Sequence, residues 1–236
     1  MANAAKETDP AKKAQFTAIA QEAANTIKQA KAKLAKNPLS KLAEMILLVQ
    51  AGLPYPKTVV AGVSALRSLM RRGEVPFGYP FILKPIDGTR GQHNFKIEDE
   101  AALTTVVDDA SLAGINFMAQ EFIPNDCDYR LTFLGGELQY ILQRTHAEGS
   151  HLNNTSQGGK GTFIERDTLP PAAVEDALKS ARAVYRDDFA GVDLMVGQDG
   201  KHWILEVNKS PEIQTGFQST YKTKLLADYI ARRLSA

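Results

Sequence analysis

Residues 191–211 read Gly-Val-Asp-Leu-Met-Val-Gly-Gln-Asp-Gly-Lys-His-Trp-Ile-Leu-Glu-Val-Asn-Lys-Ser-Pro. Asp199-Gly200 between two apolar runs is a hairpin signal, and a two-residue turn there sets Asp193 directly opposite Glu206. Like charges in that position repel, so something must compensate. Alternation puts Asn208 on the face of Glu206, with Trp203, Leu205 and Val207 on the other face beside Val192, Leu194 and Val196. Two carboxylates and an amide, with no sulfur or imidazole, suit Mg²⁺. A solvated polar face on an exposed hairpin accounts for the same pattern, and one bulge would turn Asp193 away from Glu206.

A second stretch carries phosphate chemistry. Phe81-Ile82-Leu83-Lys84-Pro85 brings a lysine to the end of an apolar strand, and Asp87-Gly88-Thr89-Arg90-Gly91 follows as a turn. Backbone N–H groups of such a turn can point at an anion, and the ammonium of Lys84 adds a point charge. A surface turn with a solvated lysine is the plainer alternative. The Gly-x-x-x-x-Gly-Lys-Ser/Thr pattern of a P-loop is missing.

Outward from these stretches the chain alternates helices and strands. Asp9-Pro10 starts a helix whose stripe of Phe16, Ala20, Ala23, Ile27, Ala30 and Leu34 faces a lysine-rich side, so residues 1–37 are expected as an Ala/Lys-rich helix. That stripe could pack on its own globule or pair with another chain. A second helix follows Asn37-Pro38, with Leu39, Leu42, Ile46 and Leu47 on one face, and stops at Gly52 and Pro54. Strands are expected at 58–60, 81–84, near Phe95, at 117–122, on both sides of Gly135-Gly136, at 192–196 and at 203–207. Helices are expected at 64–72, 98–110, from Pro171 towards Arg186, and at 219–234. The stretch 145–161 reads as a long, functional loop, the best lid candidate. Two hairpins among interleaved helices predict an α+β architecture with antiparallel sheets.

Composition sets the outer bounds. The 236 residues carry 44% apolar and 23% charged side chains, as in ordinary globular proteins. Twenty-eight basic against twenty-seven acidic residues leave a net charge of +1, which argues against a broad nucleic-acid footprint. A single cysteine, Cys127, and four scattered histidines suggest neither a disulfide framework nor a zinc site. No apolar run suits a membrane span and the N-terminus lacks a secretory apolar core, so a cytoplasmic location is expected.

Taken in order, a set of short motifs resembles the ATP-grasp superfamily, and within it the RimK-like carboxylate–amine ligases. They are Ser-Lys-Leu at 40–42, Ala-Gly-Leu-Pro at 51–54, Leu-Lys-Pro at 83–85, Gly-Thr-Arg-Gly at 88–91, Gln-Glu-Phe-Ile at 120–123, Cys-Asp-Tyr-Arg at 127–130, Gly-Val-Asp at 191–193 and Glu-Val-Asn-Lys-Ser-Pro at 206–211. The resemblance implies an ATP-grasp domain over 38–236, with a nucleotide-lid subdomain over about 80–122 and a metal and acceptor subdomain over about 123–236. ATP would lie between the two. Lys41 and Lys84 would reach its phosphates, Gly88, Thr89, Arg90 and Gly91 would close over them, and Gln120, Glu121, Phe122 and Ile123 would form the adenine hinge. Asp128 would contact nucleotide, and Asp193, Glu206 and Asn208 would hold Mg²⁺ or Mn²⁺. Arg130 and Arg144 would line the phosphate or acyl-phosphate site, with cross-strand pairing to acids as the competing role. Asn154 fits the family pattern as a catalytic residue.

The implied activity is ligation of a small-molecule or peptide carboxylate to an amine through an acyl phosphate, with release of ADP and phosphate. A non-catalytic ATP-binding module acting with a partner chain, or an ATP-grasp kinase, remains as the alternative. Such ligases carry a domain before the ATP-grasp body, whereas 40 residues precede Lys41 here. The expectation is therefore that this domain is missing and that a partner chain, or a second copy joined through the first helix, supplies its surface. Leu152 stands where the pattern favours arginine, and Lys160 is expected to restore that charge from the lid.

Overall fold

The computed structural model describes residues 41–86, 93–112, 114–145, 160–197, 199–213 and 217–235. The expected N-terminal helix and most of the lid loop lie outside these residues. Leu39–Leu226 form one compact unit, and the end of the last helix, from Ala227, belongs to a separate one.

Two antiparallel sheets build the larger unit. The first has four strands, β1 (Thr58–Val60), β2 (Phe81–Pro85), β3 (Phe95–Ile97) and β4 (Phe117–Glu121), in the order β1-β4-β2-β3. Strand β2 alternates Phe81, Leu83 and Pro85 into the interior with Ile82 and Lys84 on the other face, as a one-sided sheet requires. Helices α2 (Val63–Arg71) and α3 (Glu100–Asp108) cover the apolar face. Leu66, Phe81, Leu83, Ile97, Leu103, Phe117 and Ala119 form its core. Asp99 caps α3 by accepting from Ala102 N–H at 2.8 Å.

The second sheet has five strands, β5 (Cys127–Leu134), β6 (Glu137–Thr145), β7 (Lys160–Ile164), β8 (Phe189–Val196) and β9 (His202–Asn208), in the order β7-β6-β5-β8-β9. Gly135 and Gly136 make the predicted tight turn, both at positive φ (59° and 77°), with Leu134 opposite Glu137. Helix α4 (Pro171–Ala183) packs on β5, β8 and β9, and α1 (Lys41–Gln50) packs on α4 and β9. Helix α5 spans Ser219–Leu234. The architecture is α+β with antiparallel sheets, as the interleaved pattern predicts.

Three details differ from expectation. Lys160 and Gly161 belong to β7, the edge strand, rather than to a loop; the glycine, small enough to let Leu142 and Phe217 pack over the backbone, is what makes the segment look irregular. In α1 the buried positions are Glu44 and Leu48, while Ile46 is 44% exposed. The helix turns a charged residue inward because that residue has a partner on β9. In β9 the core residues are Ile204 and Val207, not Trp203 or Leu205, because the strand is bulged.

Candidate active site

That bulge decides the geometry of the hairpin. Its turn is longer than two residues: Gly197 N–H donates to the Lys201 carbonyl at 2.7 Å, and Val196 pairs with His202. Continued without interruption, this register would not place Asp193 against Glu206. A register shift between Asp193 and Leu194 passes over Leu205, and Asp193 comes back opposite Glu206, Val192 opposite Val207 and Gly191 opposite Asn208. The longer turn and the bulge cancel.

The charge that compensates the two carboxylates comes from β5 and β6. Arg130, directly across from Asp193, donates from Nε to Oδ1 at 2.6 Å and from Nη2 to Oδ2 at 2.7 Å. Arg144 makes the same fork on Asp128, its own cross-strand partner, at 2.7 and 2.9 Å, and also reaches Asp193 Oδ2 at 3.2 Å. Asn208 Nδ2 donates to that oxygen as well, at 3.2 Å. Burial works to raise the Asp193 pKa, but Arg130 and Arg144 outweigh it and hold the carboxyl below its ordinary value. Of the two roles weighed for these arginines, cross-strand pairing with acids is the one observed.

Gly191 makes this arrangement possible. A Cβ there would sit 2.6 Å from Pro211 Cβ, so β8 could not lie this close under Pro211 with any side chain in that position.

Lys84 approaches from the other sheet. It donates to Gln120 Oε1 at 2.9 Å, and Gln120 Nε2 in turn donates to Thr58 Oγ1 at 3.1 Å. Burial lowers the Lys84 pKa to about 8; Glu206 and Glu44 pull it up, and Lys41 pushes it further down. Lys41, Lys84 and Glu206 are therefore electrostatic neighbours, brought together from α1, β2 and β9. At the expected hinge, Glu121 N–H is already bonded to the Lys57 carbonyl at 2.9 Å, and its carboxylate accepts from Lys57 N–H at 3.0 Å. Phe122 lies under the Lys96 ammonium, and Ile123 is buried. Gly88, Thr89, Arg90, Gly91 and Asn154 lie outside the described residues.

Glu44, Arg186 and Tyr55 are functional neighbours that sequence reasoning missed. Glu44 Oε1 accepts from Val207 N–H at 2.8 Å, Arg186 Nη1 donates to the Val207 carbonyl at 2.5 Å, and Ile204 N–H donates to the Pro54 carbonyl at 2.8 Å. These groups satisfy the outer edge of β9, which would otherwise present unpaired backbone. The contact at Val207 lies between Glu206 and Asn208, so α1 fixes the strand that carries both. Burial raises the Glu44 pKa to about 7, with Glu206 adding to the rise, and burial also pushes the Tyr55 hydroxyl up. The sequence carried no signal for Glu44, which lies off the apolar stripe of its helix. Arg186 follows the α4 terminus, where Tyr185 adopts a left-handed φ of 58° and Arg186 N–H donates to the Ala181 carbonyl.

A row of acids answered by forked arginines, with two lysines in electrostatic range of Glu206 and Glu44, suits a polyanion accompanied by a divalent cation. Residues 39–232 match the RimK-like ATP-grasp domain. The chain belongs to the RimK-like ATP-grasp family. Over 182 residues it is 29% identical to the ribosomal protein bS6–L-glutamate ligase of Escherichia coli K12, covering 76% of this chain and 58% of that relative. Its fold is similar to that of D-alanine–D-alanine ligase from Bacillus anthracis complexed with ATP, with a TM-score of 0.59 and 18% identity over 80% of this chain and 60% of that one. It is also similar to the ATP-grasp ligase PsnB complexed with a minimal precursor, Mg and ADP, with a TM-score of 0.57 and 19% identity over 81% and 59% of the two chains. The RimK-like ATP-grasp domain thus has its two sheets here as β1-β4-β2-β3 and β7-β6-β5-β8-β9. No described helix is long and apolar enough to cross a membrane.

Proposed function

We propose that this chain carries the ATP-dependent ligation of a carboxylate to an amine, through an acyl phosphate, with ADP and phosphate as the other products. The observation that carries the reading is the opposition of Asp193 and Glu206 across the hairpin, with Lys84 near enough for Glu206 to act on its charge. Family membership supports ATP as the phosphoryl donor, and two of the three proteins named above, the bS6–L-glutamate ligase and PsnB with its minimal precursor, support a protein or peptide among the substrates.

The donors fit a hard divalent cation. Among the described residues no three His, Cys, Asp or Glu side chains group as a metal cluster. The protein therefore offers two carboxylates, Asp193 and Glu206, and the Asn208 amide, a set suited to Mg²⁺ that shares its remaining positions with phosphate and water. Such an ion would neutralise phosphate charge. Lys84 and Lys41 bind phosphoryl oxygens, with Gln120 orienting the Lys84 ammonium. The Gly88–Gly91 turn closes over them, residues 120–123 take the adenine, and Asp128 keeps Arg144 in place. Attack of a carboxylate oxygen on the γ-phosphorus expels ADP, and attack of the amine nitrogen on the acyl carbon expels phosphate. Arg130, Arg144 and Asn154 are the residues assigned to the acyl-phosphate side. In this reading residues 80–122 form the lid half and 123–236 the metal and acceptor half.

The test is ADP release in the presence of Mg²⁺, measured against a panel of amino acids, short peptides and carboxylates. Stimulation by an acid and an amine together supports ligation. ATP binding without release under any pairing contradicts it.

A further inference from the structure

Asp193 accepts one contact on Oδ1, from Arg130, and three on Oδ2, from Arg130, Arg144 and Asn208. Oδ2 is saturated and Oδ1 keeps one lone pair. A carboxylate so occupied cannot ligate a cation through Oδ2, or through both oxygens together, until a donor withdraws. The two arginines differ in what they keep on withdrawal. Arg144 retains a full fork on Asp128 at 2.7 and 2.9 Å, whereas the ion pairing of Arg130 among the described residues is with Asp193.

We infer that Arg130 and a divalent cation are alternative partners of Asp193, and that the guanidinium released on exchange becomes the binding group for an oxyanion, carboxylate or phosphoryl, beside the same acids. This rests on the metal assignment of Asp193, Glu206 and Asn208 proposed above. Without cation, Arg130 relieves the repulsion between Asp193 and Glu206 that their opposed register imposes. With cation, that task passes to the metal, and an arginine left without an acid carries its charge to the next anion available. The device makes anion capture conditional on metal loading, so a carboxylate substrate is held firmly only where phosphoryl transfer can follow.

The test is Mn²⁺ binding in the presence of ADP, followed by the free-Mn²⁺ EPR signal in wild-type protein and in Arg130→Met. Loss of the competitor should tighten Mn²⁺ binding about tenfold or more, because two opposed carboxylates are left uncompensated. Equal or weaker binding by a folded Arg130→Met protein overturns the exchange. A second measurement needs no variant to fold. In ¹⁵N-labelled wild-type protein, adding Mg²⁺ with ADP should shift the Nε–H resonance of Arg130 and leave that of Arg144, and an unmoved Arg130 resonance overturns the proposal. Wild-type protein that takes up no Mn²⁺ with ADP overturns the metal assignment itself, and the exchange with it.

Discussion

Asp193 and Glu206 face each other across β8 and β9 although neither the turn nor the strand between them is regular. The pair is kept by a bulge that offsets the longer turn, which indicates that this juxtaposition, not hairpin regularity, is what the local sequence maintains. Such a pair is costly without a positive partner, and the partner observed is Arg130.

Replacing Glu206 by Gln removes one charge of that pair while keeping its shape. ADP release should fall by about a hundredfold or more. Stability of the metal-free protein should hold or rise by about 0.5 kcal/mol, since a repulsion is lost. Steady-state kinetics and urea unfolding on the same preparation check both.

Lys84→Met keeps the apolar stem and removes the ammonium. ATP binding should weaken about tenfold or more, with little loss of fold stability, because burial already disfavours the charged lysine. The sign with pH follows from its depressed pKa. The ammonium is present below about 8 and lost above it, so wild-type ATP affinity should fall as pH rises beyond about 8. The variant should be flat over that range, as read by calorimetric titration.

The Glu44 pKa is displaced in the opposite direction, upward. Its carboxyl goes from an ordinary 4.5 to about 7 in the folded chain, so the folded state holds the extra proton between those values and stability falls as pH rises through them. Glu44→Gln keeps an acceptor for Val207 N–H and removes the titration. Between pH 4.5 and 7 its stability should fall by less than that of the wild type, by at most about 3 kcal/mol. Paired urea unfolding curves at the two pH values give the difference.

Tyr185 occupies the left-handed position after α4 that glycine usually takes, and 83% of its surface is exposed. Tyr185→Gly should raise stability by about 1 kcal/mol. Thermal unfolding checks it, and ATP binding should be unchanged because the turn still delivers Arg186.

Most of the framework was legible because its signals are local. The Gly135-Gly136 turn and the placing of the strands and of the helices from residue 41 onward depend on near neighbours, and the structure has them close to where they are expected. Residues brought together from distant elements were not legible. Glu44 lies off the stripe of Leu39, Leu42, Ile46 and Leu47 and reads as an ordinary polar helix position until Val207, far along the chain, appears beside it. Arg130 and Arg144 could be weighed between acids and phosphate but not assigned, since cross-strand pairing depends on the order of strands in the sheet. The inner face of β9 was misread for Trp203 and Leu205 because a bulge leaves no periodic signature.

The most direct test of carboxylate activation follows an oxygen atom. With an acid substrate labelled with ¹⁸O in its carboxylate, the reaction in Mg²⁺ and ATP should deliver one labelled oxygen to inorganic phosphate, detected by mass spectrometry. Phosphate formed free of label, with both labelled oxygens still in the acid or carried into a product other than an amide, would contradict the account.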